Sequence, residues 1–255
     1  MTRQSAWLRD IATDLKIAIA FCTRLPFFRG EPVDGADFAR AIWAFPLAGA
    51  LVGLIGALAY AVAHKFGVPP LPAAALAVAA TFAVTGGLHE DGLADTADGL
   101  GGGATRERKL EIMRDSLIGT FGTAAVALSI LLRAGAIAAL APASVLPALI
   151  AAHAASRATL PIFMWLLPRA RTDGLAATVG EVSPTSAVIA AILGVVILAL
   201  GVGAAAGVDA ALLLAIAMIV VGWLALHHIG GQTGDILGTL EQVGEIVVLL
   251  VAAAG

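Results

Sequence analysis

The chain has 255 residues, 60% apolar and 13% charged, with a net charge of −3. That balance excludes an ordinary soluble domain, and the absence of a dense basic run excludes a nucleic-acid partner. The single cysteine, Cys22, excludes an intrachain disulfide and a thiolate zinc site and leaves it apolar packing as its task.

Residues 1–29 come first, with Arg3, Arg9, Asp10, Asp14 and Lys16 spread through them. The apolar stretch Ile17–Cys22 is too short for a signal peptide. Trp7, Leu8, Ile11, Leu15, Ile19 and Cys22 recur at helical spacing opposite the charges, which predicts an amphipathic helix lying on a lipid bilayer. Seven apolar stretches follow: Ala41–Val62, Leu71–Gly86, Leu117–Leu140, Val145–Leu167, Thr185–Ala206, Ala210–His228 and Ile236–Ala253. A bilayer core of about 30 Å takes about 20 helical residues, so Leu71–Gly86 is marginal and is expected to be broken or tilted. Pro142 and Pro147 mark the turn between the third and fourth stretches. The expected fold is an all-α polytopic integral membrane bundle of about seven transmembrane helices with an N-terminal interfacial helix, one domain over residues 1–255.

Placing the amino terminus in the cytoplasm puts most of the 15 Lys and Arg on that side. Only Lys65 falls opposite, while Arg133 and Arg157 lie inside apolar stretches. Two polar segments then emerge in the cytoplasm, residues 87–116 and 230–235. The first holds His89, Glu90, Asp91, Asp95 and Asp98 ahead of the glycine-rich Gly99–Gly103. In a helix, Asp91, Asp95 and Asp98 fall at i, i+4 and i+7 and share a face, with Glu90 about 100° away. Carboxylates so crowded repel one another unless a divalent cation sits among them, and an all-carboxylate set suits Mg²⁺. A solvated acidic loop is the simpler alternative.

Beyond it, Arg106, Arg108 and Lys109 fit positive-inside topology, whereas Arg114 beside Asp115 is a candidate phosphate contact. Gly230-Gly231-Gln232-Thr233-Gly234-Asp235 echoes Gly86-Gly87-Leu88-His89-Glu90-Asp91, so Asp235 is a candidate second acid at the same site. Arg157, with His153 one turn before it, needs a partner inside the bilayer: either a buried carboxylate such as Glu241 or Glu245, or a substrate phosphate. A secondary transporter built on Arg133, Arg157, Glu241 and Glu245 is the non-enzyme alternative.

The segment from Gly86 to Gly99, GGLHEDGLADTADG, closely resembles the signature of the cobalamin synthases, the adenosylcobinamide-GDP ribazoletransferases. Thr23-Arg24-Leu25-Pro26, Glu111 to Ser116, Gly119 to Gly122, Ser156-Arg157 and Gly230 to Gly238 match the same family in order along nearly the whole chain. The Asp-Gly-x-x-Ala-Arg motif of the CDP-alcohol phosphotransferases fits only in part, since Asp95 stands where its arginine belongs.

The resemblance implies a multi-pass enzyme of the bacterial inner membrane with its active site in the cytoplasm. It would join adenosylcobinamide-GDP to α-ribazole or α-ribazole 5′-phosphate and release GMP, with Mg²⁺ as cofactor. It implies Asp91, Asp95, Asp98 and Asp235 as metal ligands, and Arg24, Arg114, Arg157, Gly230, Gly231 and Thr233 as substrate contacts. The catalytic set is His89, Arg114, Asp115 and Arg157, with His89 placed to take the proton of a ribazole hydroxyl, a role that a phosphate nucleophile already ionised at neutral pH would not need. Small residues along the helices permit a homo-oligomer.

Overall fold

The computed structural model describes residues 3–26, 33–172 and 179–255, with side chains from Asp10 onward. Arg29 and the side chains of Arg3, Trp7, Leu8 and Arg9 therefore lie outside the described residues. Helix α1 (Arg3–Cys22) leads into α2 (Gly35–Ala41), a 3-10 turn, α3 (Phe45–Lys65), α4 (Pro70–Thr85), α5 (Leu88–Gly102) and α6 (Arg106–Ile112). There follow α7 (Thr120–Ala139), α8 (Pro142–Leu166), α9 (Pro184–Val202), α10 (Ala204–Ile229) and α11 (Gly234–Ala254).

Among the described residues, six stretches are long and apolar enough to cross a membrane: Gly35–Lys65, which runs α2 into α3, and α7 through α11. This is a multi-pass membrane bundle, and its spans fall where the apolar runs place them. Helices α4 and α5 meet the same criterion only as a pair, bent by 92° at their junction. Gly86 and Gly87 make that bend at φ +70° and +72°, a backbone region that side chains disfavour. The 16 residues of α4 give roughly 24 Å of helix, short of a full bilayer core. The expected break in Leu71–Gly86 is thus a sharp turn at its last residue, and α5 leaves the bundle direction.

Local chemistry fixes the helix starts. Thr105, Ser183 and Thr233 accept backbone N–H bonds from Arg108, Ser186 and Ile236, while Pro70, Pro142 and Pro184 begin α4, α8 and α9. Pro147, expected in a turn, lies inside α8. The centre is the contact of α3 with α8, where Gly49 and Gly53 leave room for the backbone of His153 and Leu149. Cys22 and Ala18 of α1 are fully buried in one cluster with Ile42 and Phe45. Part of the face expected to meet lipid is therefore spent on the protein.

The joints at one end are tied together. Arg24 N–H donates to Val84 O (2.7 Å) and Gly180 N–H to Gly35 O (2.9 Å). Arg106 donates from Nε to Ile229 O (2.9 Å) and from Nη2 to Ala170 O (2.6 Å), so the basic residue assigned to topology also stitches three connections together.

Candidate active site

The acidic segment is helical despite Gly92 and Gly99, and α5 packs directly on α11. Gly92 and Gly238 face one another there, and Thr239 Oγ1 donates to Gly92 O (3.3 Å). This close approach brings Asp91 of α5 and Asp235 of α11 to the wall of one cavity of about 150 Å³, together with His89 and Arg171. The two echoing Gly-Gly segments therefore do converge. Asp235 Oδ2 accepts from Thr233 Oγ1 (3.1 Å) and lies 3.3 Å from Arg171 Nη2.

Asp95 sits one turn beyond Asp91, on a helix outside the spanning set. Burial, and then the charges of Asp91, Asp235 and Asp98, push its carboxyl up to about 7. Crowding of this kind is what a cation relieves, and carboxylate oxygens are the donors Mg²⁺ takes. Among the described residues, however, the group whose ligand atoms lie within 4.8 Å of one another is His153, Glu241 and Glu245, and Asp91, Asp95 and Asp235 do not form such a group.

Asp98 has a different task. Its Oδ2 and Oδ1 accept the N–H groups of Gly119 (2.6 Å) and Gly122 (2.9 Å), holding a carboxylate at the amino end of α7. It neighbours the acidic group but is committed to the helix start. Arg114 and Asp115 are exposed between α6 and α7, where Asp115 Oδ1 accepts from Leu117 N–H (3.1 Å), and neither is among the described residues lining the cavity. The guanidinium of Arg24 lies over Gly86, at the α4–α5 bend.

Gly230, Gly231 and Thr233, expected at substrate, build a joint instead. Gly230 ends α10 at φ +80°, and a side chain on Gly231 would meet the backbone of Pro168 and Ala170. Ala170 N–H donates to Gln232 O (2.9 Å) and Gln232 N–H to Pro168 O (2.8 Å). Thr233 caps α11. Together these contacts position Arg171 and Asp235.

Behind the cavity lies a buried ionic network. Arg157, Arg133, Glu241 and Glu245 are each at most 2% exposed. Arg133 bonds Glu245 and Glu90, both at 2.9 Å. Arg157 pairs with Glu241 and with Glu245 (3.1 Å), while His153 contacts Glu245 and Ser156 bonds Glu241 (3.3 Å). Of the two partners open to Arg157, the buried carboxylates are the ones it takes, and its assignment to a substrate phosphate is corrected. The same pairing removes the support for a transport pathway, because these charges satisfy one another.

His89 joins network and cavity. Arg157 Nη2 lies 3.3 Å from His89 Nδ1. A guanidinium only donates, so Nδ1 accepts and the ring proton sits on Nε2. Burial and then the Arg157 charge hold the imidazole well below its usual pKa. His89 is therefore a neutral hydrogen-bond donor, and the expectation that it acts as a base is corrected.

Sequence reasoning missed Arg171, counted only for topology, and the rings of Phe21, Phe38 and Phe45, which line the same cavity. The rings gave no signal because phenylalanine is unremarked in an apolar chain.

A sequence profile described as "Cobalamin-5-phosphate synthase" matches residues 14–253. A protein of Bradyrhizobium diazoefficiens described as "Adenosylcobinamide-GDP ribazoletransferase" is 54% identical over 97% of this chain and 95% of its own length. Proteins described in the same words from Mesorhizobium japonicum and Azorhizobium caulinodans are 52% and 43% identical, over 96% and 94% of this chain and 94% and 95% of their own. No solved structure matches. With a profile and relatives that cover nearly every residue, the acidic signature included, the chain belongs to the cobalamin-5-phosphate synthase family.

Proposed function

We propose that this protein is a membrane transferase that joins adenosylcobinamide-GDP to α-ribazole or α-ribazole 5′-phosphate. The observation that carries the reading is the meeting of Asp91, Asp235 and Arg171 around one cavity at the joint of α5 and α11. The membrane is the bacterial inner membrane, and the site faces the cytoplasm, the side on which the basic joints fall.

The product made from α-ribazole 5′-phosphate keeps that phosphate, so the attacking atom is a ribose hydroxyl oxygen. It bonds to the phosphorus carrying the cobinamide, the P–O bond to the GMP portion breaks, GMP leaves, and the hydroxyl proton passes to a carboxylate of the cavity wall. Asp91, Asp95 and Asp235 are the residues that would hold Mg²⁺, which when bound supplies charge neutralisation at the pyrophosphate. Arg171 lies beside Asp235 to meet a phosphate oxygen, in the role first expected of Arg157. His89 donates from Nε2, and the Arg157–Glu241–Glu245 network behind it fixes that tautomer.

The test is to incubate the purified protein in detergent or liposomes with both substrates and follow GMP with Mg²⁺ present or chelated. Metal-dependent release of GMP with a cobalamin product supports the reading. Well-folded protein that releases none in either condition overturns it.

A further inference from the structure

The cavity is lined by two chemically opposite sets of side chains: Asp91, Asp235, Arg171 and His89 on the one hand, and Phe21, Phe38, Phe45 and Met164 with several aliphatic residues on the other. The three rings come from α1, α2 and α3 and pack as a unit. Phe21 and Phe38 meet edge-on with centroids 4.7 Å apart, and Phe21 and Phe45 stack at 5.5 Å with 14° between their planes. Phe45 is buried, while Phe21 and Phe38 are half-buried, with part of their surface left open. Interiors normally fill such space with side chains. A void kept open beside three rings and a polarisable thioether is a seat for a flat apolar group.

We propose that the aromatic part of this lining binds the planar base of the attacking nucleoside, a benzimidazole-type ring. The assignment rests on the transferase reading above and adds to it where one substrate lies. Three groups compete for the seat, and the lining separates them. At about 150 Å³ the cavity takes a small planar ring but not a corrinoid macrocycle, which is several times larger. Guanine would bring an exocyclic carbonyl, an amino group and a ring N–H against phenylalanine and methionine, which return no hydrogen bonds to them. A benzimidazole-type base has no exocyclic polar group and presents hydrocarbon edges. Seated among the rings, it keeps its ribose close to Asp91 and Asp235, which line the same cavity and where the hydroxyl has to react. The aromatic residues thus select the nucleophile, and the acidic residues activate it.

The experiment uses the full chain in detergent, with Phe21→Ala and Phe38→Ala as variants, since half-buried positions tolerate truncation better than Phe45. Calorimetry measures binding of α-ribazole 5′-phosphate and, separately, of GMP; steady-state kinetics gives the KM of each substrate. The expected result is a roughly tenfold weaker Kd and higher KM for the ribazole phosphate in both variants. The KM for adenosylcobinamide-GDP and the affinity for GMP should stay within about twofold of wild type on the same argument. An unchanged Kd for the ribazole phosphate, or a rise confined to the cobinamide or guanosine ligand, overturns the assignment. Wild-type protein that binds the ribazole phosphate through these rings yet releases no GMP sinks the transferase reading alone, so the two failures are distinguishable.

Discussion

A methyl group built on Gly92 would fall 3.2 Å from the Cα of Gly238, and one built on Gly238 would fall 3.2 Å from the Cα of Gly92. Helices α5 and α11 touch backbone to backbone at this point, one residue after Asp91 and three after Asp235. An added methyl must push the helices apart, at a cost of about 1–3 kcal/mol, and separate the two acids. Gly238→Ala is therefore expected to lower GMP release by tenfold or more, on the order of 1.4 kcal/mol of lost activation. Gly135→Ala, at a position facing open space, is the control that should keep full activity. Equal rates for the two variants would show that the contact does not set the site.

Asp91→Asn and Asp235→Asn each remove a carboxylate from the cavity wall without changing its shape. Turnover is expected to fall by ~10²-fold or more in each, with the Mg²⁺ concentration for half-activity raised. Asp98→Asn should act differently, lowering thermal stability by about 1 kcal/mol through the α7 start. A metal titration on all three variants separates the two groups.

The hydrogen bond from Arg157 fixes which nitrogen of His89 carries the proton. Glutamine places an amide N–H near the position of Nε2, and asparagine places it near that of Nδ1. His89→Gln is expected to retain activity within about tenfold of wild type and His89→Asn to lose ~10²-fold. The reverse order would mean that Nδ1 carries the proton.

Arg133 is shared by Glu90 and Glu245, and its removal leaves two carboxylates buried without it. Arg133→Ala should destabilise the bundle by about 3–5 kcal/mol, read as a lower thermal midpoint in detergent. The double variant Arg133→Ala with Glu90→Ala should recover part of the loss.

Asp95 gives a pH dependence whose sign is fixed. Its carboxyl is raised from the usual aspartate range to about 7, so between the two values the folded protein holds a proton that the unfolded chain releases. Its contribution to stability is present below pH ~4 and is lost as the pH rises towards 7. Metal-free protein should lose thermal stability over that window, Mg²⁺ should flatten the slope, and Asp95→Asn should remove this component.

Much of this was legible in residue patterns. The apolar runs locate the spans because the bilayer imposes length and composition on each helix separately. The Gly-Gly echo points to the two segments, carrying Asp91 and Asp235, that meet at the candidate cavity, because the spacing from each Gly-Gly pair to its aspartate is local. What required the fold was partner choice. Nothing in the spacing of Arg157 decides between a phosphate and Glu241, 84 residues away, because that depends on how α8 and α11 are rotated against each other. Asp98 shares a helical face with Asp91, yet the start of α7 reaches it first. Arg171 and the three phenylalanines come from connections and helices that meet only in the folded molecule.

The spacing of the ionic network along the chain also orders its biogenesis. Arg133 follows Glu90 in the sequence, so a counter-charge already exists when α7 is made. Arg157 has no such precedent: its carboxylates, Glu241 and Glu245, arrive only with α11. Until that helix inserts, α8 carries a guanidinium into lipid at a cost of about 3 kcal/mol. Insertion of α11 therefore locks α8 in place, and a chain cut short before Glu241 would keep an unneutralised arginine in the membrane.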